Sequence, residues 1–225
     1  AQMSLYLADS EGAQDTGTIF EFSFVRPPEP QQIYSSTSKS ASSTLVQTID
    51  TSSWTTPSPD PAGIVYLPPS NSLPNSLLVS DSEINEAISC ADTVPPGTQP
   101  CFTGDNLFQA NLSGNLVSTL TAMGFSDEPT GATLKPANKH LFFSDDAGAR
   151  RVYELNPGPD GLYGTGDDIV TSINGRDFGC TDPEGVTYAS TSGNLFIACG
   201  LENQIFQVTP GANGLFDGVP PDGDD

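Results

Sequence analysis

Two sets of acidic residues have the types and the spacing to do chemistry. The first is Asp160-Gly161-Leu162-Tyr163-Gly164-Thr165-Gly166-Asp167-Asp168, a Gly-rich stretch that gathers carboxylates and unhindered backbone carbonyls. Calcium takes six to eight oxygens at varied angles, which such a loop can supply. The spacing is neither that of an EF-hand nor that of the glycine-rich nonapeptide repeat. Asn213, Asp217, Asp222, Asp224 and Asp225 form a looser second copy. A solvated acidic hairpin has the same composition, so both readings stand. The second set is Asp60, Glu128 and Asp182, each opening an acidic-Pro-x-Gly motif, together with Asp9, Asp81 and Asp145 at the ends of apolar runs. Carboxylates converging on one axis repel one another, and a hard cation relieves that repulsion. The alternative is that these Asp side chains cap turns while Pro-x-Gly sets a chain corner. The candidate metal ligands are therefore Asp160, Asp167, Asp168, Asn213, Asp217, Asp222, Asp224, Asp60, Glu128 and Asp182, with calcium the expected ion. No catalytic residue is assigned.

The elements that must position these groups repeat along the chain. Strand a begins at Asp60-Pro61-Ala62-Gly63, Glu128-Pro129-Thr130-Gly131 and Asp182-Pro183-Glu184-Gly185. Strand b is an apolar run: Leu5-Tyr6-Leu7-Ala8-Asp9, Leu77-Leu78-Val79-Ser80-Asp81, Leu141-Phe142-Phe143-Ser144-Asp145 and Leu195-Phe196-Ile197-Ala198-Cys199. Strand c alternates apolar and polar residues in Ile19–Phe22, Leu107–Ala110, Val152–Leu155 and Ile205–Val208, the pattern of a strand packed on one side. Strand d recurs at Leu45–Ile49, Leu116–Leu120 and Ile169–Ile173. Four short strands per repeat, the second of them buried, predict an all-β propeller of four-stranded blades. The whole of 1–225 reads as one such domain, with blades near 1–50, 60–121, 128–174 and 182–225. The chain starts at strand b and stops before the last strand d, which leaves three expectations: a piece of a longer chain, an imperfect seam, or edges that pair with a neighbouring copy. In this topology the d–a corners and b–c turns share a first face, and the a–b turns and c–d loops share a second.

Composition narrows the function. There are 28 Asp and Glu against 7 Lys and Arg, and one His. Nucleic-acid binders need a basic surface to displace counterions, so that class is set aside. No run of about 18 apolar residues predicts a membrane-spanning helix. The N-terminal residues lack the basic and apolar regions of a signal peptide, so such a signal is expected to be removed or to lie outside this chain. Four Cys without a C-x-x-C or a Cys/His cluster read as two disulfides, Cys90–Cys101 around a Pro-rich loop and Cys180–Cys199 on the first face. That points to an oxidising, extracellular setting. His140, beside Lys139 in an a–b turn, reads as exposed, and no G-x-S-x-G elbow accompanies it. Trp54 either covers a corner or offers a sugar-stacking face. Asn111-Leu112-Ser113 is a glycosylation sequon, and 35–44 is a Ser/Thr-rich, low-complexity loop.

The acidic-Pro-x-Gly start followed by x-Leu-x-Val-x-Asp resembles NHL-type and phytase-like or SdiA-regulated β-propellers, and Ser53-Trp54-Thr55-Thr56-Pro57-Ser58-Pro59-Asp60-Pro61-Ala62-Gly63-Ile64 is similar to a segment of large secreted bacterial proteins that carry them. That resemblance implies a propeller fold, often with bound calcium, and activities from ester hydrolysis to none. The His-bearing and basic phosphate motifs of propeller phytases are absent from these residues. The expected function is a non-catalytic, calcium-binding structural or adhesive module at the cell surface that self-assembles through its edges. The alternatives are a metal-dependent phosphoesterase or lactonase and a glycan-binding module.

Overall fold

The structure, a computed structural model, describes residues 2–9, 18–25, 43–69, 74–84 and 104–217. These form four antiparallel sheets, each a meander of strands adjacent in sequence. The first contains β1 (Gln2–Asp9), β2 (Thr18–Val25) and β3 (Ser43–Asp50). The second contains β4 (Pro61–Leu67), β5 (Ser76–Asp81), β6 (Leu107–Asn111) and β7 (Leu116–Leu120). In the third lie β8 (Pro129–Lys135), β9 (His140–Asp145), β10 (Arg151–Asn156) and β11 (Ile169–Asn174). The fourth holds β12 (Pro183–Ala189), β13 (Asn194–Cys199) and β14 (Gln204–Val208). The all-β reading and the a-b-c-d order hold in the second and third sheets. Among the described residues, the first sheet has no strand a and the fourth no strand d.

Burial follows the sequence pattern in strand b of the second and third sheets but not in strand c of the third, where Val152–Leu155 are all buried because neighbouring sheets cover both faces. Strands β5 and β9, the apolar b runs, are buried along their whole length. Alternate side chains then serve opposite neighbours, as the two-residue period of a strand requires. Leu77 and Val79 pack with Ile19, Ile49 and Phe108 towards the first sheet, while Leu78 packs with Leu141 and Phe143 of the third. Phe142, pointing the other way, joins Leu195 and Ile197 of the fourth. Three apolar interlayers result, one between each successive pair of sheets.

The innermost strands explain the acidic-Pro-x-Gly motif. Strands β4, β8 and β12 lie side by side, with β1 next to β4. Each motif carries a register shift at its Pro, between Pro61 and Ile64, Pro129 and Gly131, and Pro183 and Gly185. A Cβ on Gly63 would lie 2.8 Å from the Ala132 backbone nitrogen, and one on Gly131 would lie 2.9 Å from that of Val186. Any side chain there would push adjacent inner strands apart. The glycine therefore sets the approach of sheet to sheet, and the bulge turns the strand into the corner.

Candidate functional site

On the first face, the b-strand Asp of the second sheet and that of the third each close their own corner. The Ser58 hydroxyl and the Asp60 backbone N–H both donate to Asp81 Oδ2, and the Glu83 N–H donates to Oδ1 at 3.0 Å. One sheet on, Ser126 Oγ donates to Asp145 Oδ1 at 2.8 Å and the Glu128 N–H donates to the same oxygen at 3.2 Å. Burial pushes both carboxyls above the usual range, while these donors pull in the opposite direction. In the fourth sheet, Cys180 stands where Ser58 and Ser126 stand, two residues before the acidic residue. Cys199 stands where Asp81 and Asp145 stand. Their disulfide, with Cα atoms 5.7 Å apart, covers the same corner. The registers coincide: Pro61 pairs with Asp81, Pro129 with Asp145 and Pro183 with Cys199. The expected Cys180–Cys199 bridge is present, and the Cys90–Cys101 pair lies outside the described residues.

Among the described residues, the first-face acids Asp60, Asp81, Glu128, Asp145 and Asp182 do not form one central group, and the side chain of Asp9 lies outside them. Asp60 is tied to Asp81 and Ser82, and Glu128 to Asp145. Asp182 pairs with Arg150 Nη1 at 3.0 Å. Glu184, raised first by burial and then by the nearby charges of Asp146 and Asp182, was not anticipated from the sequence. Asp9 ends β1 opposite Thr18. Among the described residues, one group of three His, Cys, Asp or Glu ligand atoms falls within 4.8 Å: Cys180, Cys199 and Glu202. Both sulfurs of that group are already bonded to each other.

On the second face, the two acidic loops share a turn. The Leu162 N–H donates to Asp160 Oδ1 at 2.8 Å, and the Leu215 N–H donates to Asn213 Oδ1 at 2.9 Å. Both are Asx turns, and each carries an aromatic residue next, Tyr163 or Phe216. The remaining acids also serve the loop. Asp167 accepts from the Asp160 N–H and from Thr165 Oγ1, and Asp168 Oδ2 accepts from the Gly164 N–H at 2.7 Å. Asp168 Oδ1 is buried without a hydrogen-bond partner. Asn213 Nδ2 donates to Asp217 Oδ2 at 2.9 Å, while Asp222, Asp224 and Asp225 lie outside the described residues. A calcium ion held here by Asp160, Asp167 and Asp168 would need the loop to give up some of its own bonds.

The aromatic residue of each loop reaches the preceding sheet. Phe216 is fully buried edge-on against Phe142, with ring centroids 5.3 Å apart. Its N–H donates to Glu154 Oε2 at 3.4 Å, and Lys135 Nζ donates to the Gly214 carbonyl at 3.0 Å. Glu154 in turn meets His140 Nδ1 at 2.6 Å. His140 is thus buried, which corrects the exposed position expected from its turn: the Phe216 loop, distant in sequence, closes over it. Tyr163 is the counterpart one sheet earlier. Its hydroxyl donates to the Lys139 carbonyl at 2.6 Å, and burial followed by the Asp168 charge pushes the phenol up to about 12. Beside Tyr163 an open groove of about 280 Å³ remains, lined in part by Leu67, Gln109, Val117, Leu134 and Leu162.

Trp54 packs in the core, tilted on Phe108, and its Nε1–H donates to the Gly114 carbonyl at 2.9 Å. It covers a corner and presents no stacking face. Among the described residues, no helix is long and apolar enough to cross a membrane. No family model matches the chain, and no curated protein matches it.

Proposed function

We propose that the chain is a propeller of four-stranded blades that acts outside the cell as a non-catalytic structural or adhesive module. One observation carries the reading: the corner held by Ser–Asp in two sheets is held by a disulfide in a third. A carboxylate that served as metal ligand or general base could not be exchanged for a disulfide with the rest of the corner in place. The hydroxyl–carboxylate bond and the covalent bridge are alternatives for one task, locking strand b to the d–a corner. The bridge itself supports an oxidising compartment. Inner strands lying side by side, with an apolar layer between each successive pair of sheets, support the blade arrangement. The inner edge of β1 and the outer edge of β14 have no strand partner among the described residues, and Leu5, Leu7 and Ile205 are exposed there. Such edges support assembly with neighbouring copies, because unpaired ladder groups template strand addition.

Calcium belongs to this proposal as a stabiliser, and Asp168 Oδ1 is the oxygen that supports it. A hard cation next to that orphaned acceptor would relieve a buried, unpaired lone pair. The test is thermal unfolding with calcium and with EDTA, run beside phosphodiester and lactone hydrolysis assays with calcium supplied. Calcium is expected to raise Tm by several degrees in the native protein and not in Asp168→Asn, with no turnover in either. An unchanged Tm removes calcium from the reading. Hydrolysis abolished by Asp145→Asn would overturn the non-catalytic assignment.

A further inference from the structure

Successive sheets build the same slot on the second face, and the described residues fill only one of the two completely. In the third sheet the slot is walled by Lys135, Phe142 and Glu154, with His140 behind Glu154, and Phe216 occupies it without solvent exposure. The register places Leu67, Leu78, Gln109 and Ser76 at the matching positions of the second sheet. There Gln109 Nε2 donates to Ser76 Oγ at 2.8 Å, and Ser118 Oγ donates to Gln109 Oε1 at 3.1 Å. Ser76 and Gln109 thus repeat the contact of His140 and Glu154 with a smaller first partner and no charge. Tyr163, the counterpart of Phe216, tethers its hydroxyl to Lys139 and stands at the side of the slot. The groove of about 280 Å³ is the space left.

We infer that this groove is a binding site for a small, uncharged aromatic molecule bearing an N–H donor. The occupied slot next door specifies that chemistry. Phe216 brings a ring into the apolar part and a backbone N–H to the carboxylate of Glu154. An external ring would enter between Leu67, Leu134 and Val117, and its N–H would meet the second lone pair of Gln109 Oε1. The volume sits at the low end of small-molecule pockets, which limits the ligand to one or two rings. Anionic ligands are disfavoured because Asp160, Asp167 and Asp168, on the loop that forms one wall, outnumber the one cation of the lining, Lys139, on a chain of formal net charge −21. The site is independent of the corner chemistry, but Gly161, Leu162, Tyr163 and Thr165 of its wall belong to the Asp160–Asp168 loop, so calcium is kept out of the test.

Indole supplies the ring and the donor, and benzofuran is its near-isostere without the N–H. Indole-3-acetate adds the negative charge. Each is titrated into the native chain in EDTA while backbone amide shifts are followed by NMR. Indole should give saturable shifts confined to the groove, around Leu67, Gln109, Val117 and Leu162. Benzofuran and indole-3-acetate should each bind several-fold more weakly. Val117→Trp, at an exposed position on β7, should fill the groove and weaken indole by at least about tenfold. Pro74→Trp adds the same bulk at another lining position and serves if the first variant misfolds. Non-saturating shifts, shifts away from the groove, or undiminished binding in a folded blocking variant would overturn the site. Benzofuran binding as tightly as indole would overturn the role given to Gln109.

Discussion

If the three first-face corners are equivalent, a disulfide should transfer from the fourth sheet to the third. The perturbation is S126C/D145C. Ser126 and Asp145 are 19 residues apart, as are Cys180 and Cys199, so the new cross-link closes a loop of the same length. In the chain-entropy model that removes roughly 3 kcal/mol of freedom from the unfolded state. The substitution also deletes a carboxylate that burial holds above its ordinary range and that Asp127 and Asp146 repel. Against this, the Glu128 N–H loses its acceptor, at a cost of about 1 kcal/mol for a group that is half-buried. The oxidised variant should therefore be about 2–3 kcal/mol more stable than the native chain, a rise of about 5–10 °C at this chain length. Urea unfolding followed by Trp54 fluorescence measures the difference, and mass spectrometry with a thiol-blocking reagent reports whether the bridge has formed. Comparing the variant with the new bridge closed and open isolates the cross-link. Free thiols under conditions that oxidise Cys180 and Cys199, or a closed form no more stable than the open one, would refute the equivalence of the corners.

The pH profile follows from the same carboxyls. Asp81 and Asp145 hold a proton more tightly folded than unfolded, so the native state gains protons first as pH falls. Stability should rise from neutral pH towards the ordinary carboxylate value near 3.8, where the unfolded state is protonated as well. Asp167 and Glu202 are shifted downwards and work against this below their own ordinary values; Asp167 is exposed and contributes weakly, while Glu202 is half-buried and limits the rise at the acid end. A Tm higher near pH 5 than near pH 7, with the rise reduced in Asp145→Asn, is the expected result; a monotonic fall on acidification would contradict it. Phe216→Ala empties the filled slot and exposes the His140–Glu154 pair. It should cost about 3–5 kcal/mol by urea unfolding, and amide exchange should quicken first in β9 and β10.

Much of the scaffold was legible because strands and corners are local. The unbroken apolar run of Leu141–Phe143 describes a strand covered on both faces, whereas the period-two alternation of Val152–Leu155 suggests one covered face and the structure buries all four residues. The acidic-Pro-x-Gly spacing at Asp60, Glu128 and Asp182 was equally readable, and the structure adds the hydroxyl or sulfur two residues before it, at Ser58, Ser126 and Cys180. What it meant was not readable, because a carboxylate at the end of a strand looks the same whether it holds a cation or a hydroxyl. His140 shows the other limit. Its neighbours Asn138 and Lys139 make a turn, and a turn usually lies in solvent. Burial there depends on Phe216, which arrives from another sheet, and no local pattern carries that information. The acidic loops were read by their carboxylates, whereas the feature common to both in the structure is the Asx turn that aims an aromatic side chain at the previous sheet.

In a repeat protein, residues that recur from repeat to repeat are answerable first to the scaffold, because every repeat must solve the same packing problem. The Pro-x-Gly bulge, the closed corner and the aromatic loop all belong to that class. Their acidity attracts a chemical reading, yet each has a structural task that accounts for its position. Residues that break the repeat are free of that obligation. Ser76 and Gln109 depart from His140 and Glu154 at a slot whose neighbour is full, and the departure leaves an open groove where the neighbouring slot is packed. A smaller pair is destabilising there unless another group supplies the missing contacts. Tyr163 could supply them from within the chain, but its hydroxyl is committed to the Lys139 carbonyl. The vacancy in the repeat, rather than the acids that recur through it, is therefore where specificity for an outside molecule is built.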